Sequence, residues 1–69
     1  MKSFTAIIER CAETDLFVGY VPGIPGAHSQ AAALDELREN LREVLELLEQ
    51  DGKAVLQSEF AGTQQIVVP

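Results

Sequence analysis

One cysteine, Cys11, and one histidine, His28, are all this sequence holds of the two residues that most often carry covalent and metal chemistry. A lone cysteine closes no intramolecular disulfide, and Cys11 with His28 falls short of the four ligands of a structural zinc site. Basic residues are scarce too. Lys2, Arg10, Arg38, Arg42 and Lys53 are the full set, no three of them cluster, and the net charge is −6. Direct nucleic-acid binding depends on Lys and Arg neutralising phosphates, so it is not expected. A basic protein partner suits the charge, as does simple solubility. No apolar run reaches the roughly 18 residues of a membrane span. Met1-Lys2-Ser3-Phe4 carries no signal-peptide pattern, and a cytoplasmic location is expected.

Catalytic patterns are equally sparse. Gly19, Gly23 and Gly26 fit neither a P-loop nor a dinucleotide fingerprint ahead of a helix. Cys11 follows Arg10, which could lower its pKa, but no base stands in a recognisable motif beside it. His28 as a general base lacks an orienting partner that the sequence identifies. Most carboxylates fall on one helix face, as either a solvated surface or a docking surface for a basic protein. Metal-dependent nuclease chemistry needs acids converging from several strands, and Glu9, Glu13 and Asp15 are the only strand-proximal ones in the first half. No cofactor or metal site is expected, and a non-enzymatic role follows.

What is present reads as one small domain over residues 1–69. Hydrophobic residues make up 46% of the chain, which suits a globular fold rather than disorder. At 69 residues a single core stabilises only marginally, and oligomerisation is a common remedy. A homodimer or larger assembly is therefore expected. Ser3 to Arg10 alternates as a strand, with Phe4, Ala6 and Ile8 on one face and Thr5, Ile7 and Glu9 on the other. Cys11 to Asp15 forms a hairpin connection. Leu16 to Val21 is a second strand apolar on both faces, a pattern that predicts burial on two sides. Pro22 ends it, since proline has no N–H to donate.

Pro22-Gly23-Ile24-Pro25-Gly26 is a turn-rich connector in which proline fixes φ and glycine permits positive φ. Ala27 to Gln30 forms a short third strand. Leu34, Leu37, Leu41, Val44, Leu45 and Leu48 then recur at helical spacing, predicting an amphipathic helix from about Leu34 to Asp51. Ala33 falls at its N-cap and supplies no side-chain acceptor. Asp35–Arg38 and Glu39–Arg42 are spaced to pair, and Gly52 is a natural stop. An extended connection over Lys53 to Gly62 leads to a last strand, Gln64 to Val68, rich in β-branched residues. The fold class is α+β, a β-β-β-α-β sheet with one helix packed on one face, leaving the other face in need of a partner.

The run Phe4-Thr5-Ala6-Ile7-Ile8-Glu9, then Phe17-Val18-Gly19-Tyr20-Val21-Pro22-Gly23-Ile24-Pro25-Gly26, then Leu34-Asp35-Glu36-Leu37-Arg38-Glu39-Asn40-Leu41, resembles the HicB-like antitoxin family. The likeness extends to Ile66-Val67-Val68 and so covers nearly the whole chain. It implies a partial ferredoxin-like or RNase H-like layout, and it implies a partner: a small basic HicA-type RNA-cleaving toxin, masked by occlusion. Three departures stand out. Gly23 occupies a position often acidic in relatives, and Ala31 and Ala33 replace Gly and Thr or Ser. The helix-turn-helix or ribbon-helix-helix segment that full antitoxins use on operator DNA is not found, so operator binding is not implied. Under this reading Phe17, Tyr20, Ile24, Pro25 and His28 are the expected partner contacts. The alternatives are a self-associating domain without a toxin, which would bury Ile7 and one side of the second strand against a copy of itself, and, from the RNase H-like layout alone, a nuclease.

Overall fold

A computed structural model describes residues 2–69. Three short strands come first, β1 (Ile7–Arg10), β2 (Phe17–Tyr20) and β3 (His28–Ala31), followed by one helix, α1 (Leu34–Gln50). The sheet is antiparallel in the order β1-β2-β3, so both β1 and β3 are edge strands. Register sets Ile7 opposite Tyr20 and Tyr20 opposite His28, and places Glu9, Val18 and Gln30 in the next row along the same face. The alternate positions, among them Ile8, Gly19 and Ser29, face the helix.

The hairpin between β1 and β2 closes through Cys11, whose N–H donates to the Leu16 carbonyl and whose carbonyl accepts from the Asp15 N–H, both at 2.8 Å. Asp15 adopts φ 60, a left-handed conformation that aspartate tolerates better than most residues. Between β2 and β3, the sequence Val21-Pro22-Gly23-Ile24-Pro25-Gly26-Ala27 folds as two tandem Pro-Gly turns. In each, proline presets the first central position and glycine takes positive φ at the second, 89° at Gly23 and 84° at Gly26. The Ile24 N–H donates back to Val21 at 3.3 Å and the Ala27 N–H to Ile24 at 3.2 Å. A further bond from the Val21 N–H to the Ala27 carbonyl, 2.9 Å, closes the pair of turns.

The helix begins after Ala33, which has extended φ and ψ and makes no side-chain capping bond, as its lack of an acceptor dictates. Asp35 and Glu36 in the first turn favour the positive end of the dipole. A Schellman pattern ends it. The Lys53 N–H reaches the Leu48 carbonyl at 2.7 Å and the Gly52 N–H reaches Glu49 at 3.0 Å, with Gly52 at φ 69. On the polar face Arg42 bridges Glu39 at 2.9 Å and Glu46 at 2.7 Å. Asp35 and Arg38 form no such pair among the described residues.

α1 packs on β3 and β2 but not on β1. Gly19 is what lets it sit so close: a Cβ there would meet Leu41 Cδ1 at 2.9 Å and Leu37 Cδ2 at 3.2 Å. The core has two lobes. Val21, Ile24 and Ala27 pack with Phe4, Leu45 and Leu48, while Ala31, Leu37 and Leu41 pack with Phe17, and Ala6 touches both. Among the described residues those six are the buried hydrophobic side chains, with Gly19 buried beside them, a small core for a chain of this length.

Two expectations are corrected. Gln64 to Val68 does not form a strand: residues 53–69 carry no regular element, and Ile66, Val67 and Val68 are 75%, 90% and 82% exposed. A strand exists only where a ladder partner bonds it, and this segment runs beside none. The apolar alternation of β2 also overstates its burial, because helix covers only the Phe17 and Gly19 side, and Tyr20 on the other is exposed.

Candidate protein-binding surface

The uncovered sheet face is built by register alone. Ile7 from β1, Tyr20 from β2 and His28 from β3 form one cross-strand row, flanked by the row of Glu9, Val18 and Gln30. Ile7 and Val18 are half-buried, while Tyr20, His28, Glu9 and Gln30 are exposed. The result is an apolar centre with a polar rim, the composition of many protein contact surfaces, and tyrosine supplies a large rigid side chain with a hydrogen-bonding tip.

This face continues around the tandem turns. Tyr20, Pro25 and His28 line an open, shallow depression with the turn backbone, and Gln57 and Ser58 from the segment after the helix complete its wall. The Gln57 N–H donates to the Gly23 carbonyl at 2.7 Å and ties that segment to the turn. Sequence reasoning missed Gln57 and Ser58, because nothing local ties them to a turn more than thirty residues earlier.

The five expected contact residues separate into two groups. Tyr20, Pro25 and His28 come together on one exposed surface. Ile24 borders the same depression but is 4% exposed, buried in the core lobe with Val21 and Ala27. Phe17 lies on the helix side, half-buried against Ala31, Leu37 and Leu41, with the Arg10 guanidinium 4.8 Å above its ring. Neither Ile24 nor Phe17 presents its side chain to a partner at this face. Ile24 turns inward because its core lobe, with Val21 and Ala27, is covered by Phe4 and by Leu45 and Leu48 of the helix.

Cys11 lies at the far end of the sheet from the turns. Its thiol is held below the ordinary cysteine range, first by the Thr14 hydroxyl and then by the Thr14 and Glu13 backbone. The shift comes from those bonds rather than from Arg10, which pairs at 3.8 Å with Asp15 instead. Among the described residues no three His, Cys, Asp or Glu side chains converge closely enough to hold a metal ion. No helix of the described residues is long and apolar enough to cross a membrane.

Three relatives share most of this chain. A UPF0150 protein of Thermotoga maritima is 47% identical over 68 residues, covering 97% of this chain and 91% of its own. A UPF0150 protein of Synechocystis is 39% identical across 97% of this chain and 96% of its own. One from Archaeoglobus fulgidus is 42% identical across 94% and 93%. No family model and no solved structure matches the chain.

Proposed function

We propose, since this chain belongs to the UPF0150 family and its sequence resembles the HicB-like antitoxins, that it is a non-catalytic binding module which docks a small basic protein. The observation that carries this reading is the uncovered row of Ile7, Tyr20 and His28 on a body of net charge −6. A basic partner would be steered to the acidic body at long range, then seated on the apolar centre with the polar rim paired. Masking a toxin by occlusion requires area and complementarity, not a catalytic group. A small RNA-cleaving toxin of HicA type is the partner that the resemblance suggests.

Titration calorimetry with a small basic RNA-cleaving protein tests the assignment. Wild type binds, and Tyr20→Asp weakens binding about tenfold or more, because it puts an uncompensated charge at the centre of the contact. Absence of binding by the wild type, or an unchanged affinity in Tyr20→Asp, overturns it. A second reading, a self-associating domain with no toxin, draws support from the exposed apolar tail at residues 66–68.

A further inference from the structure

We propose that the depression between the tandem Pro-Gly turns and the segment after the helix is a seat for one arginine side chain of the basic partner. The inference rests on the binding role proposed above and gives that role a ligand chemistry. Its first support is the balance of donors and acceptors. Pro22 and Pro25 line the depression and have no N–H. The N–H groups of Val21, Ile24, Ala27, His28 and Gln57 are already spent on the carbonyls of Ala27, Val21, Ile24, Gly26 and Gly23 in turn. The Pro22 and Pro25 carbonyls belong to the middle peptides of the two turns. Neither accepts a backbone hydrogen bond among the described residues. Gln57 and Ser58 add an amide and a hydroxyl, and His28 a ring acceptor in its neutral form. A lining rich in acceptors and poor in free donors suits a cation with several N–H groups. It offers little to an anion such as phosphate.

The kind of cation follows from the side chains around it. No Asp or Glu lines the depression, so a divalent metal finds none of the carboxylates it favours. No Lys or Arg lines it either. Glu59 stands in the hollow across Pro22 and Lys53 in the one across Pro25 and Gln57, so one charge of each sign flanks the site. Attraction at long range comes from the −6 body, and attraction on contact from carbonyl dipoles. A lysine ammonium is compact and strongly hydrated, and a site without a carboxylate does not replace its water. An arginine guanidinium is flat, more weakly hydrated, and carries five donors in a fixed fork. Tyr20, 37% exposed, gives that fork an aromatic ring to stack on. The depression is open and shallow, which fits the head of one side chain rather than a whole small molecule.

The test is an NMR titration of the isotope-labelled full chain with N-acetyl-arginine amide, with N-acetyl-lysine amide and inorganic phosphate as controls. Arginine amide is expected to shift Tyr20, Gly23, Gly26, His28 and Gln57 together and saturably, with a Kd on the order of millimolar. Lysine amide should bind about threefold more weakly or worse, and phosphate should leave these residues unmoved. Tyr20→Leu keeps an apolar side chain and removes the ring, and should weaken arginine about threefold. Absence of saturable shifts, lysine binding as well as arginine, or phosphate moving the same residues overturns the proposal. So do shifts confined to the acidic face of α1, or an undiminished affinity in Tyr20→Leu. The wild-type arms decide the matter even if that variant fails to fold. The titration needs no partner protein, so its failure is separable from that of the calorimetry above. Partner binding without arginine binding overturns this inference alone, and arginine binding without partner binding leaves the seat and overturns the docking role.

Discussion

At Gly23 two demands meet on one residue. The second position of the first Pro-Gly turn requires φ 89, and a Cβ there would run into the backbone carbonyl of Ser58. Gly23→Ala should therefore cost about 2–3 kcal/mol, the left-handed strain plus displacement of the neighbouring segment. Gly52, at φ 69 with nothing near its Cβ position, should lose only about 1 kcal/mol as Ala, the strain alone. Urea titration of the two variants separates these terms, and equal losses would remove Ser58 from the explanation. The requirement for positive φ is legible in Pro22-Gly23. The contact with Ser58 is not, because it joins positions distant in sequence. Glu39 shows a milder effect. Its carboxyl titrates below the usual glutamate range, chiefly through its hydrogen bond to Arg42 and then through that charge. A lowered folded-state pKa means a contribution present above the unfolded value and lost as pH falls through the folded one. Arg42→Ala should raise the Glu39 titration midpoint in NMR, and a midpoint that stays put would show that the pair does not persist in solution.

Each element owes its legibility to how local its cause is. The helix was readable from Leu37, Leu41, Leu45 and Leu48, whose spacing matches a buried stripe, and from Gly52, which forms the Schellman end. Ala33 was readable as a cap without a cap. Ala33→Ser supplies the missing acceptor and should raise stability by roughly 1 kcal/mol, seen as a higher urea midpoint. No rise would mean that another group already satisfies the first-turn N–H groups. Leu37, with no exposed surface, anchors the helix on Gly19. Leu37→Ala should cost about 3 kcal/mol, and a loss below about 1 kcal/mol would show that the helix packs elsewhere. Strands β1 to β3 were readable because hairpin turns join them and fix their register. The segment from Gln64 to Val68 has the same β-branched composition and no neighbour within the chain. Propensity identifies a strand but cannot provide its partner. The same limit explains β2, whose apolar pattern recorded two faces needing cover although the chain has one helix to give.

For the whole molecule, three features point outward: a net charge of −6, a bare row of Ile7, Tyr20 and His28, and an apolar tail. Charge and the bare row were implicit in composition and alternation. The joint surface of Tyr20, Pro25 and His28 was only partly legible, since Ile24 and Phe17 were grouped with it and turn inward for reasons of packing. Docking of a basic protein on an acidic body should slow as salt rises, through the association rate more than the dissociation rate. The most direct measurement is RNA cleavage by a small basic HicA-type partner, with this protein added in stoichiometric amount at low and at high salt. If the chain masks such a partner, cleavage is suppressed and suppression sets in more slowly at high salt. Cleavage that continues undiminished at both salt concentrations would contradict it.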